Sequence, residues 1–247
     1  MILCNIIEVK ETESTNVYAT ELLKIKELHE GTVISAFRQS AGKGQGSNLW
    51  ESEAGKNLTL SVILYPFFLP VEKQFKLNMA VSLGVCDMLE ELINIDVKIK
   101  WPNDIYIGNK KVSGILIENA ISGNKFLHSI IGIGININQR IFYSDAPNPV
   151  SLFNISGKEY DLKTCLELLS DKLDFRYSQL KNGDYEYIEM DYIARSYLLN
   201  KTASFLYKSK HITASIKGVS EYGKLLLENP CGNIFECDRN EIKYILS

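Results

Sequence analysis

Three β-type runs joined by two tight turns constrain the centre of this chain. Residues 104–119, DIYIGNKKVSGILIEN, hold Gly108-Asn109 between two apolar runs, a hairpin signal. Ser122-Gly123-Asn124 then turns into FLHSIIGIGININ, residues 126–138. Strands joined by turns this short must be antiparallel, because a parallel pair needs a crossover of roughly a dozen residues or more. Further strands are expected at 2–9, 32–37, 57–64 and 97–101. In the third of these, Leu58, Leu60, Val62 and Leu64 alternate with mostly polar partners. Helices are expected at 14–28, 72–93, about 162–181 and about 185–199. The first has Tyr18, Leu22 and Ile25 at helical spacing behind the cap-type residues Ser14, Thr15 and Asn16. This is an α+β chain: a mixed, largely antiparallel sheet flanked by helices.

From Lys201 the texture changes to five short β-type runs, divided by Gly218, Gly223 and Gly232. They suggest a small barrel or meander. A boundary is therefore expected near residue 199, giving domains 1–199 and 200–247.

The 247 residues suffice for one full core and a small second domain. The formal net charge is −3 and the basic residues are scattered, which argues against a dedicated nucleic-acid protein. No start resembles a signal peptide, and no apolar run approaches the ~18 residues that span a bilayer. The five cysteines (4, 86, 165, 231, 237) form no CxxC, and His29, His128 and His211 lie far apart. Free thiols in a reducing cytoplasm are expected, and no metal held by protein ligands.

Five short motifs could carry chemistry, and each has a plain structural reading too. Ser14-Thr15-Asn16 offers hydroxyls and free amides at a helix start, or simply caps it. Gln39 precedes the loop AGKGQGSNLW, which fails the Walker spacing and is followed by a strand rather than a helix. It is either a nest of amides with one lysine poised for an anion, or a surface loop. KWPND, residues 100–104, sets a cation and a carboxylate around an apolar slab, or ends a strand. In KVSGIL, Lys111 precedes Gly114, a strand glycine that permits close approach; otherwise the lysine faces solvent. In GIGININ, Gly132 and Gly134 leave one strand face bare for a flat ligand, with Asn136 and Asn138 in step, or mark a bulge.

Taken in order, STN, QSAGKGQGSNLW, KWPNDIYI, KKVSGILIE and GIGININ resemble the biotin–protein ligase family. The tail GKLLLENPCGNIFECDRNEIKYI resembles the small C-terminal SH3-like domain of those enzymes. The resemblance implies a class II aminoacyl-tRNA synthetase-like catalytic core followed by an SH3-like β-barrel. It implies ATP-dependent attachment of biotin, through biotinyl-5′-AMP, to one lysine of a carboxylase's biotin carrier domain. With no helix-turn-helix before the first strand, the likeness is to the monofunctional subclass without a DNA-binding domain. A monomer or homodimer is expected, with no DNA or membrane partner.

Residue by residue, the resemblance implies that Ser14, Thr15, Asn16, Gln39, Gly42, Lys43, Gly44, Lys111 and Gly114 hold biotin. It implies that Lys43, Trp50, Asn103, Asp104, Lys111, Gly132 and Asn136 hold ATP and the adenylate, with Lys43 and Lys111 acting in catalysis. Magnesium is expected to arrive with ATP. The loop departs from the family's arginine-rich GRGRxGRxW pattern. Lys43, Gln45 and Asn48 stand where arginines are common, and Ser47 where glycine is. A point charge replaces a bidentate grip, so a leakier adenylate is expected. The rival readings are a lipoate– or octanoyl–protein ligase of the same superfamily and an inactive biotin- or nucleotide-binding module.

Overall fold

The computed structural model describes residues 5–144 and 148–245. Within them the main sheet has seven strands: β1 (Asn5–Thr12), β2 (Thr32–Gln39), β3 (Leu58–Leu64), β4 (Val97–Lys100), β5 (Asp104–Ile107), β6 (Lys110–Ser122) and β7 (Lys125–Ile135). Their order is β1-β2-β3-β7-β6-β5-β4. Only β1 and β2 are parallel, joined by helix α1 (Thr15–Ile25). The hairpin turns at Gly108-Asn109 and Gly123-Asn124 fall where the sequence places them. The first strand runs past the end of its expected span, to Thr12; residues 2–4 of that span are outside the described residues. Its polar end runs on to pair Thr12 with Gln39.

The two faces of this sheet differ in kind. Leu60, Val62, Ile131, Ile133, Ile115 and Ile117 face helices α2 (Gln74–Ile93) and α4 (Leu162–Asn182) in one large core. On the other face α1 covers Ile34, Ile63 and Ile130. Beyond α1 that face becomes polar and small: Ser61 pairs with Gly132, Thr59 with Gly134, and Gly134 with Gly114. All seven residues of β3 are buried, so its alternation does not separate core from solvent. Its polar positions lie under α1 and beside the site described below.

Two helices differ from expectation. A short α3 (Leu152–Ser156) stands where no helix is expected, closed by a Ser151–Asn154 capping box and by Gly157 at φ 71°. Pro147 lies outside the described residues. Helix α5 (Tyr185–Ala194) stops short of residue 199. Its successor Ser196 forms a bridge with Ile99 on the edge strand β4, and Tyr197 donates its amide to the Ile99 carbonyl at 2.8 Å. Edge pairing thus takes over from helix propensity. Arg195 anchors the junction on Asp87 and Glu90 of α2, each at 3.0 Å.

The C-terminal runs form a second, antiparallel sheet: β8 (Thr202–Tyr207), β9 (Lys210–Val219), β10 (Leu225–Glu228), β11 (Ile234–Cys237) and β12 (Ile242–Tyr244), in order β11-β10-β9-β8-β12. Phe205, Ile216, Leu225 and Leu227 join the same hydrophobic core as α2 and the main sheet. The Trp101 indole donates to the Gly223 carbonyl at 2.9 Å and locks the two sheets together. Cys86, Cys165 and Cys237 are free and buried, while Cys231 is free and exposed. Cys4 lies outside the described residues. No helix among the described residues is long and apolar enough to cross a membrane.

Candidate active site

A cavity of about 750 Å³ opens over the glycine face of the main sheet. Gly114, Gly132 and Gly134 form its floor, the start of α1 one wall, the KWPND turn another, and the 40–50 loop its lid. Every site residue expected from the sequence lines it except Gly42 and Asn136.

The lid is a miniature hairpin rather than an open nest. Lys43 bridges Leu49, Trp50 donates its amide to the Gly42 carbonyl at 2.8 Å, and Gly44 donates to Asn48 at 2.8 Å. Gly46 turns the tip at φ 66°. The Gly44 and Trp50 amides are therefore spent within the loop. Gly42 is needed by the hairpin itself, since a Cβ there would stand 2.6 Å from the Trp50 carbonyl. The buried Gln139 side chain holds the base of the lid, accepting from the Glu53 amide at 2.9 Å and from Asn57 Nδ2 at 2.6 Å. At the tip, Gln45 Oε1 accepts from Asn103 Nδ2 at 3.1 Å, latching lid to wall.

Trp50 lays its indole on the floor. A Cβ on Gly134 would come within 2.6 Å of Trp50 Nε1, and one on Gly114 within 3.1 Å of Trp50 Cζ3. The indole Nε1 is buried with no hydrogen-bond partner among the described residues.

Lys111 is aimed by a β-bulge. The β5–β6 register slips between Ile105 and Tyr106, so Val112 has no opposite number. The Lys111 backbone pairs instead with the Asn148 carbonyl and the Val150 amide, at 2.8 and 2.9 Å. Its side chain runs back across Gly114, where a Cβ would meet Nζ at 3.3 Å, and reaches Asp104 Oδ1 at 2.6 Å. Nζ also lies 5.8 Å from the Trp50 ring centroid. Asn103 Nδ2 donates to the Ile115 carbonyl at 2.5 Å, and Pro102, after a cis peptide, accepts from Asn78 and Tyr192 at 2.7 and 2.8 Å. These bonds fix the turn that carries Asp104. Asn136 sits behind the floor, donating to the Val150 carbonyl at 3.1 Å; its Oδ1 is buried and has no partner among the described residues.

The third wall was not visible in the sequence. Arg239, Lys243 and Tyr244, from the end of the second sheet, line the cavity, as does Lys100. The Lys100 ammonium stands 3.2 Å from the Tyr106 hydroxyl and 4.9 Å from the Tyr244 ring centroid. Burial lowers its pKa, Asp104 opposes the shift, and Lys111 adds to it. Burial likewise lowers that of Arg239, against the attraction of Asp104. A chain of net charge −3 thus gathers Lys43, Lys100, Lys111, Arg239 and Lys243 around one carboxylate, Asp104. Cations that the lid lacks come from the wall formed by the second sheet. Among the described residues no cluster of three His, Cys, Asp or Glu could hold a metal. With one carboxylate, this donor set suits a magnesium ion that keeps phosphate and water ligands.

Such a basic pocket, floored by strand glycines and roofed by a glycine hairpin, defines an α+β core with a cationic cavity. The chain belongs to the Biotin/lipoate A/B protein ligase family, whose model matches residues 8–136. It is 32% identical over 206 residues to the bifunctional ligase/repressor BirA of Bacillus subtilis, covering 81% of this chain and 62% of that protein. It is 28% identical over 203 residues to the biotin–[acetyl-CoA-carboxylase] ligase of Mycobacterium tuberculosis, covering 81% and 74%. This chain thus spans less than two thirds of the length of the Bacillus relative. Among solved structures, the biotin protein ligase of Aquifex aeolicus in complex with biotin and ATP superposes with a TM-score of 0.82 at 31% identity, covering 99% of this chain and all of that one.

Proposed function

We propose that this protein joins biotin to ATP, forming biotinyl-5′-AMP, and passes the biotin to a lysine of a carboxylase's carrier domain. The observation that carries the reading is the cavity itself: five cations and one carboxylate around a glycine floor, on a family-matched fold. Residues 1–199 form the catalytic unit in this reading and residues 200–247 a β domain that closes its wall.

The chemical difficulty is that a carboxylate must attack a phosphate. Two unit charges ~4 Å apart repel by roughly 4 kcal/mol at an effective dielectric near 20. The carboxylate oxygen forms a bond to the α-phosphorus and the bond to pyrophosphate breaks. Lys111 suits the junction of the two anions, since Asp104 holds its ammonium over the floor. Lys43 approaches from the lid, and Arg239 and Lys243 face the departing pyrophosphate. Magnesium, when bound, neutralises phosphate charge. Ser14, Thr15 and Gln39 supply neutral donors and acceptors for the ureido ring, whereas the Asn16 amide is spent on Glu118, the Leu116 carbonyl and Ser61. The Trp50 indole, itself seated on Gly114 and Gly134, faces the adenylate, and Gly132 admits Asn16. In the second step the lysine amine attacks the acyl carbon and AMP leaves.

The test is pyrophosphate exchange into ATP. Exchange that requires biotin and is not supported by lipoate is expected. Exchange without biotin, or driven equally by lipoate, refutes the proposal.

A further inference from the structure

Asn16, Ser61, Leu116 and Glu118 form a line across three strands, centred on a glycine. Ser61, Gly132 and Leu116 are register partners on β3, β7 and β6. The Asn16 amide lies over Gly132, where a Cβ would come within 2.5 Å of its Oδ1. Asn16 Nδ2 donates to Glu118 Oε2 at 2.7 Å and to the Leu116 carbonyl at 3.3 Å. A carboxylate and a carbonyl only accept, so both fix which way the amide is turned. Oδ1 then faces Ser61 Oγ at 2.6 Å. Because Oδ1 accepts and never donates, the single Ser61 proton is committed to it. Ser61 Oγ is also 2.7 Å from Thr15 Oγ1, with both residues buried. Both contacts have Ser61 Oγ in donor geometry, but that hydroxyl has a single proton and Asn16 Oδ1 has none, so the proton between the two hydroxyls is Thr15's. Thr15 thus donates inward and keeps only lone pairs for the cavity it lines. Its backbone amide donates to Gln39 Oε1 at 2.8 Å, which leaves the Gln39 NH₂ as that side chain's free group.

We infer that Glu118 and Ser61 are positioning residues that set the hydrogen-bond polarity of the ligand pocket, making Thr15 an acceptor and Gln39 a donor. Neither has to touch the ligand: Ser61 lies beneath Thr15, and Glu118 is exposed at the far end of the line. The pocket then accepts a neutral ring with an N–H beside a C=O in one orientation and disfavours the reverse, where lone pairs would meet lone pairs. This rests on the biotin reading, and it adds two residues whose role passes through others.

The test is a double-mutant cycle read as the biotin KM in pyrophosphate exchange. Thr15→Val and Ser61→Ala should each raise biotin KM about five- to tenfold, the effect of one hydrogen bond, and leave ATP KM in place. The double variant should be no worse than Thr15→Val alone, because Ser61 acts through Thr15. Additive losses, or equal losses for ATP, overturn the inference. If Ser61→Ala fails to fold, Glu118→Ala gives the same cycle from the surface, with a rise of about two- to threefold that vanishes in the Thr15→Val background. Additivity there overturns it as well. A wild-type protein without biotin-dependent exchange refutes the biotin reading and this inference together; an active wild type with additive variants refutes only the relay.

Discussion

Gly134→Ala tests whether the Trp50 indole lies on the glycine floor. The added Cβ would stand 2.6 Å from Nε1 and 2.7 Å from Cζ2 of that ring. Carbon contacts are comfortable near 3.5–4.0 Å, so the ring must retreat by about 1 Å or leave. Holding the ring in place costs about 1–3 kcal/mol in overpacking. Releasing it exposes part of an indole, at a similar cost of about 2 kcal/mol, and gives up the Lys111 contact. Either route predicts a loss of about 2 kcal/mol, or roughly 4–8 °C in Tm for a chain of this size. The chain has two tryptophans, and Trp101 is buried and hydrogen-bonded in the sheet junction, so a red shift in emission reports Trp50. In a Trp50→Ala background the same glycine substitution should cost under about 0.5 kcal/mol. Equal cost in both backgrounds, or unchanged emission, refutes the packing described.

Lys111→Ala should reduce biotin-dependent exchange about 100- to 1,000-fold. It should barely move Tm, because an ion pair with side chains 22% and 29% exposed contributes at most about 1 kcal/mol; near-normal exchange would remove Lys111 from the chemistry. Arg239→Ala should raise the KM for ATP about tenfold and leave that for biotin unchanged, which steady-state exchange kinetics would show. Arg176→Ala should cost about 3 kcal/mol in urea unfolding, because its guanidinium grips Asp87 at 2.6 and 3.0 Å and Asp191 at 2.7 Å from a side chain only 7% exposed. A loss under about 1 kcal/mol would mean that Arg195 alone neutralises Asp87.

The legible parts of this fold are those whose signal is local. Turns at Gly108-Asn109 and Ser122-Gly123-Asn124 fix strand pairing by chain length alone, so β5, β6 and β7 follow from the sequence. Helix α5 ends before its expected boundary because its propensity runs past Ala194, while the partner that ends it, Ile99, is almost a hundred residues away. The polar positions of β3 were visible but their burial was not, since α1 covers them only in three dimensions. At the site, Lys111 and Asp104 stood out as motif residues, yet nothing local announces the bulge that turns one toward the other. Arg239 and Lys243 were illegible for a similar reason: no periodicity says which edge of a second sheet will face the first. The loop's glycines leave an anion nest and a plain surface loop equally open, and only the structure shows that two of its amides close a hairpin.

Ser14 and Tyr244 border one cavity although more than two hundred residues separate them along the chain. A site assembled from such distant segments is among the last features a folding chain completes. A nascent or clipped chain that lacks the final sheet lacks one wall of the pocket and two of its cations. Substrate affinity is therefore a gauge of finished folding, and a bound ligand stabilises selectively the molecules whose far ends have met.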